Sequence, residues 1–269
     1  NLFLGSLWSV SCITLRSSFM KNKERLDVII VDNGLVKSRE RAKALIMEGK
    51  VIVNGVAVMK AGTLVKRDSD IVLKNGDIPY VGRGGLKLKS ALDFFHVNPA
   101  DKIIMDIGCS TGGFTDCVLK EDALKVYAVD VGYGQIDWSL RQNPKVVLLE
   151  KTNIRYLEKE KVPDLVDLIV IDVSFISLTK VLPKSLEFLD NNGVILALIK
   201  PQFEVGRDMV EKGGVIKDES KRMHAIENIK AFTASIGLET IGVFESPVHG
   251  QKGNIEYFIY LRRTINGRP

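Results

Sequence analysis

The chain is 269 residues long, 45% hydrophobic, 26% charged and 7% aromatic, and its formal charge is +5. That length can bury a sizeable core in one large domain or two smaller ones, and the composition is that of a soluble globular protein, with no later apolar run of about 18 residues to span a membrane. The charge is uneven: residues 21–90 carry 15 Lys/Arg against 8 Asp/Glu, whereas residues 91–269 carry 22 against 25, so the basic surplus belongs to an N-terminal segment, the footprint of a polyanion-binding module.

The chain opens on NLFLGSLWSVSCITL, which is apolar but has neither an initiator Met nor a basic flank. Met20 before KNKERLDV reads as a start, and residues 1–20 as a leader or tag remnant; a secretion signal is the competing reading. Residues 24–34 (ERLDVIIVDNG) have apolar residues at helical spacing and stop at Asn33-Gly34. Ser38 caps a second predicted helix, SRERAKALIMEG, which closes at Gly49 and carries Arg39, Arg41 and Lys43 close together. KVIVNGVAV then reads as a hairpin turning at Asn54-Gly55, and DIVL as a further strand ending near residues 74–76.

Residues 23–76, with RLD followed by SRERAKALIMEGKVIVNG, resemble the alpha-L RNA-binding module of a ribosomal protein, pseudouridine synthases and tyrosyl-tRNA synthetases. The resemblance implies an RNA-binding domain over residues 21–78. Its backbone contacts would come from Arg25, Ser38, Arg39, Arg41, Lys43 and Lys50, positioning RNA without reading its sequence.

Residues 79–86 read as a linker rich in Gly and basic residues, running into a helix near 86–95; Arg83 there is a candidate phosphate contact. From residue 101 strands alternate with helices, which predicts a parallel sheet covered on both faces. The predicted strands are 102–108, 125–131, 146–150, 167–173 and 194–200, and TIGVFES and IEYFIYLRR close the sheet, one of them antiparallel. The fold class expected is α/β: a class I, Rossmann-like sheet over residues 87–269 behind a small N-terminal α+β domain. GRDMVEKGGVIKDESKR, residues 206–222, reads as a loop able to close on RNA, and His249 as a loop histidine.

The first strand enters DIGCSTGGFTD. Its glycines, Gly108, Gly112 and Gly113, do not form the dinucleotide pattern G-x-G-x-x-G, and Asp106 stands before the turn. The arrangement resembles motif I of class I S-adenosylmethionine methyltransferases. It implies a cofactor site from Asp106, Gly108, Ser110, Gly112, Gly113 and Phe114, with Asp130 for the ribose hydroxyls and Asn153 for the adenine edge. Cys109 and Cys117 read as small packing residues. With Cys12 they show no metal-ligand spacing and no even disulfide framework, as in a reducing, cytoplasmic compartment.

Which atom takes the methyl group depends on the strand ends. Residues 172–175, Asp-Val-Ser-Phe, lack the two prolines of base-amine methyltransferases, and no cysteine nucleophile lies there or in LIKPQFE. A hydroxyl acceptor remains, a poor acid that needs a basic group close by. Asp172 and Lys200 end neighbouring predicted strands, Pro201 stiffens the turn that aims Lys200, Lys87 precedes the first strand and Glu256 opens the last. Lys89, two residues from Lys87 on the same helix, should face elsewhere and be solvated.

Lys87, Asp172, Lys200 and Glu256 resemble the Lys-Asp-Lys-Glu tetrad of FtsJ-like RNA 2′-O-methyltransferases. With YVGRGGLKL, VIDVSFISL, IKPQFE and GNIEYF, residues 21–262 resemble the TlyA-type rRNA methyltransferases, a family often labelled haemolysin A. The resemblance implies S-adenosylmethionine as cofactor, no metal, and 2′-O-methylcytidine made in ribosomal RNA within ribosomal subunits, without a membrane. In that reading Lys200 orients or deprotonates the 2′-hydroxyl, Asp172 holds Lys200, and Lys87 and Glu256 balance charge. A membrane-active haemolysin, or an RNA-binding protein with an inactive methyltransferase fold, are the alternatives.

Overall fold

A computed structural model describes residues 23–73, 79–206, 209–211, 213–250 and 252–264. The leader reading of residues 1–20, the close of the DIVL strand at 74–76, and residues 207, 208 and 212 of the expected loop lie outside them. The chain divides into two compact units at the Asp77/Ile78 junction.

In the first unit, β1 (Lys23–Arg25) pairs antiparallel with β4 (Leu64–Lys66). The pairing corrects the predicted first helix: Glu24 and Arg25 are strand residues, and α1 covers Leu26–Asp32. No alternation announced the three-residue β4, which explains its absence from the sequence reading. α2 (Arg39–Met47) follows Ser38, whose Oγ accepts from the Arg41 N–H at 3.2 Å. β2 (Val51–Val53) pairs antiparallel with β3 (Val56–Val58) and β5 (Ile71–Leu73). Asn54 and Gly55 have φ of 49° and 81°, the left-handed pair that a tight primed hairpin turn requires. Leu26, Ile29, Ile30, Leu45, Ile46 and Val51 close the core, each at most 1% exposed, and each such burial stabilises by roughly 1.5–3 kcal/mol.

The second unit begins its regular structure with α3 (Gly84–Phe95), two residues earlier than expected, so the last three residues of the predicted linker are helical. A seven-stranded sheet follows in the order β11-β12-β10-β9-β6-β7-β8. Its parallel strands are β6 (Ile103–Ile107), β7 (Lys125–Val129), β8 (Val146–Leu149), β9 (Val166–Ile171) and β10 (Leu189–Ile199). β12 (Tyr257–Arg263) runs antiparallel to both β10 and β11 (Leu238–Glu245), the one reversal anticipated.

Alternation sorts the strand side chains to two cores. Ile104, Leu168, Val170, Leu196 and Leu198 pack with α3 and with α4 (Gly113–Lys120). Met105, Ile107, Ile169, Ile171, Ala197 and Ile199 face the side where Ile226 and Ile229 of a long helix, α8 (Glu219–Ser235), lie. Burial on both faces explains why these strands read as unbroken apolar runs. Asp218 caps α8 by accepting from the Ser220 N–H at 2.8 Å, so residues 219–222 of the expected loop are helix. The short helices of this unit, α5 (Trp138–Arg141), α6 (Leu182–Ser185) and α7 (Pro201–Glu204), lie in the connections.

Candidate active site

At the C-terminal edge of the parallel strands lies a cavity of about 570 Å³, within the usual range for small-molecule pockets. Its floor is the turn after β6. Gly108 and Gly112 have φ of +86° and +92°, and a Cβ on Gly108 would stand 2.6 Å from the Asp172 carbonyl oxygen. Four of the turn's backbone donors are engaged within the protein. Gly108 and Cys109 donate to Val129 O at 2.8 and 3.3 Å, Gly112 donates to Cys109 O at 2.7 Å, and Ser110 donates to Asp130 Oδ2 at 2.8 Å. Those four N–H groups are therefore spent on shaping the turn and not on a ligand.

The cofactor residues expected from the sequence divide between lining and support. Gly108, Ser110, Gly113 and Phe114 line the cavity, as does Thr111, which the sequence reading did not single out. Asp130, half-buried at the end of β7, takes Ser110 N–H on one oxygen and Gly132 N–H at 2.7 Å on the other. Asn153 spends its side-chain oxygen on the Arg155 N–H at 3.1 Å, capping a 3₁₀ turn.

Asp106 requires a correction: strand alternation turns it into the core, fully buried, rather than beside the cavity. Its Oδ2 accepts from Thr115 Oγ1 at 2.7 Å, its Oδ1 is an orphaned buried oxygen, and burial pushes its pKa up to about 7. Asp130 at the turn and glycines with no Cβ in the way leave room for a nucleoside to approach the backbone. Cys109 and Cys117 are buried free thiols, and burial pushes Cys117 up to about 12, in keeping with inert packing groups.

Four charged residues separated widely in the chain line the same cavity as two ion pairs. Lys87, on the first turn of α3, donates to Glu256 Oε2 at 2.6 Å; their side chains are 10% and 3% exposed. Lys200 stands 2.5 Å from Asp172 Oδ1 and donates to Ser174 Oγ at 2.8 Å. Parallel pairing of β9 with β10 sets Asp172 and Lys200 side by side just past the strand ends, and antiparallel β12 brings Glu256 to the same edge. The turn expected at Pro201 is the first turn of α7: Lys200 is its N-cap and Pro201 occupies N1, where its fixed φ and missing N–H cost nothing. Lys89 points elsewhere, but it is bridged to Asp93 at 2.8 Å and Glu121 at 3.1 Å rather than simply solvated.

Several groups at the cavity were missed in the sequence. Phe175, 90% exposed with φ +64°, meets Phe203 with ring centroids 5.0 Å apart, and both line the cavity. Glu204 accepts from Ser177 Oγ at 2.5 Å and from the Leu178 N–H at 2.9 Å. Asn254, 4% exposed, accepts from the Ile216 N–H and donates to Gly214 O, tying two connections together beside the cavity. The residues after Asp172 held a signal, a polar-aromatic pair at a strand end. Glu204 had none, because its partners are 26 and 27 residues away.

Of the expected RNA contacts, Arg83 is exposed at the cavity rim. In the first unit, Arg25 and Arg39 are half-exposed, and both also bond buried Asp27, at 2.9 and 3.0 Å. Lys50 pairs with Glu48 at 2.7 Å, and Arg41 and Lys43 are partly exposed on α2. His249 is an exposed loop residue. Among the described residues, no helix is long and apolar enough to cross a membrane and no cluster of His, Cys, Asp or Glu could hold a metal.

Residues 80–263 match the FtsJ-like methyltransferase family, and residues 24–72 match the S4 domain. Over 244 residues the chain is 41% identical to the 16S/23S rRNA (cytidine-2′-O)-methyltransferase TlyA of Mycobacterium tuberculosis (strain ATCC 25618 / H37Rv), covering 90% of this chain and 91% of that protein. Hemolysin A of Brachyspira hyodysenteriae is 42% identical over 238 residues, 88% of this chain and 99% of that one. A solved structure of a candidate hemolysin from Streptococcus thermophilus superimposes with a TM-score of 0.72 at 41% identity, covering 91% of this chain and 90% of the other.

Proposed function

The chain belongs to the FtsJ-like methyltransferase family, and from that premise we propose that it transfers a methyl group from S-adenosylmethionine to a cytidine ribose 2′-hydroxyl of ribosomal RNA. The observation that carries this reading is the set Lys87–Glu256 and Lys200–Asp172, two nearly buried ion pairs lining one cavity beside a glycine turn. The TlyA relatives bear that activity in their names. The S4 domain supports an RNA substrate, and ribosomal subunits as substrate would place the work in the cytoplasm.

When bound, the sulfonium cofactor supplies an electrophilic methyl group. Everything else falls to the chain. Gly108, Ser110 and Gly113 let a nucleoside approach the backbone closely, and Asp130 offers its remaining lone pairs to ribose hydroxyls. Lys200, held as an ammonium by Asp172, donates to the 2′-hydroxyl and orients its oxygen, and the hydroxyl proton is released to solvent. Lys87 and Glu256 neutralise each other and hold α3 and β12 together at the cavity wall. Phe175 and Phe203 offer aromatic faces at the cavity on which an unstacked base can rest.

The test is transfer of labelled methyl from S-adenosylmethionine to purified 30S and 50S subunits that lack the modification, with Lys200→Ala alongside. Label at one ribose, mapped by resistance to alkaline cleavage and lost in Lys200→Ala, is the expected result. Label on a base would refute the ribose assignment, and lysis of erythrocytes by the detergent-free protein would favour a haemolysin instead.

A further inference from the structure

We propose that Ser174 is a positioning residue for Lys200, fixing the direction in which the Lys200 Nζ faces the acceptor hydroxyl; the proposal rests on reading the cavity as a 2′-hydroxyl methyl-transfer site. A lysine has a four-carbon stem and an amine free to rotate about its last bond. One ion pair, Lys200 to Asp172 at 2.5 Å, restrains the distance but leaves that rotation open. The second contact, Nζ to Ser174 Oγ at 2.8 Å, closes it. The hydrogen bond to Ser174 fixes one N–H direction, and Lys200, Asp172 and Ser174 all line the cavity into which the acceptor must come.

The loop that presents Ser174 is itself held. Phe175, next in the chain, sits at φ +64°, a conformation strained for a bulky L-residue that persists only where its surroundings impose it. Those surroundings are visible on both sides. Lys200 grips Asp172 and Ser174 at one end of the loop, and Glu204 grips Ser177 Oγ and Leu178 N–H at the other. Glu204 belongs to α7, the four-residue helix that Lys200 caps. A single helical turn therefore carries Lys200 and clasps the loop that aims it. Glu204 is largely buried and its pKa is raised by that burial, as befits a carboxyl spent on structure.

The experiment compares wild type, Ser174→Ala and Ser174→Thr, with kcat and KM for methyl transfer to unmodified ribosomal subunits measured separately and S-adenosylmethionine affinity by calorimetry. Loss of the hydroxyl should lower kcat about tenfold to a hundredfold, the scale of a small misplacement of a reacting group. KM and cofactor affinity should stay within about twofold, and Ser174→Thr, which keeps a hydroxyl, should recover most of kcat. A merely structural serine would lower the active fraction without that rescue. An unchanged kcat in Ser174→Ala, or a Ser174→Thr as slow as Ser174→Ala, overturns the proposal while wild-type ribose methylation keeps the activity reading. If wild type labels no ribose although it binds cofactor, that reading fails, and the role of Ser174 with it.

Discussion

Replacing Lys87 by Met tests whether the ion pair at the cavity wall is structural, catalytic or both. Its Nζ lies 2.6 Å from Glu256 Oε2, and the two side chains are 10% and 3% exposed, so neither charge is much compensated by water. Removing one member strands the other in a low-dielectric site, at a cost of about 3–5 kcal/mol. For a unit of this size each kcal/mol moves Tm by roughly 2–4 °C, which predicts a fall of about 10 °C. Replacing both members, Lys87→Met with Glu256→Gln, removes the stranded charge and should recover most of the loss, a coupling of at least about 3–5 kcal/mol. Thermal and urea unfolding of wild type, both single variants and the double variant measure that coupling. Methyl transfer should not recover with stability: the double variant should fold and bind cofactor yet stay at least about a hundredfold slow. A Lys87→Met protein melting within 1–2 °C of wild type, against the roughly 10 °C expected, would refute the reasoning about stranded charge. A double variant with wild-type turnover would remove this pair from the chemistry.

Gly108→Ala should be worse than its size suggests. At φ +86° a Cβ costs roughly 1–2 kcal/mol, and here it meets the Asp172 carbonyl oxygen at 2.6 Å, in a strand ladder where Asp172 N–H donates to Ile107 O at 3.0 Å; calorimetry should show cofactor affinity lowered at least about tenfold. Phe175→Ala should raise KM for the RNA substrate about tenfold, the scale of one base–aromatic stack, with cofactor affinity unchanged in the same titrations. The hydrogen bond from Arg25, with Arg39 assisting, holds buried Asp27 below the usual carboxylate range. Its folded pKa lies below the unfolded one, so its stabilisation is present above the ordinary carboxylate range and is lost as pH falls through the depressed value. Melts from pH 7 down to about 2 should therefore show a wild-type advantage over Asp27→Asn at neutrality that disappears in acid; an advantage independent of pH would contradict it.

The sheet was legible because its cause is local. Strands buried on both faces read as apolar runs such as IIMDI and VDLIVI, and a parallel α/β connection puts every strand's C-terminal end on one edge. Asp172 and Lys200 could thus be paired from their places after two runs, and the glycine turn could be told from a dinucleotide loop by its spacing together with the acidic residue before it. Where composition and periodicity were silent, long-range register decided. Glu256 meets Lys87 across 169 residues because β12 reverses direction against β10. Asp106 lies in the core because alternation along β6 turns it away from the edge its sequence neighbours occupy. Arg25 and Arg39 share Asp27, and Glu204 clasps Ser177, through side chains brought together only by packing. Periodicity and turn chemistry act over a few residues and are written in the chain; partners for buried charges are chosen in three dimensions, where burial makes an unpaired group costly.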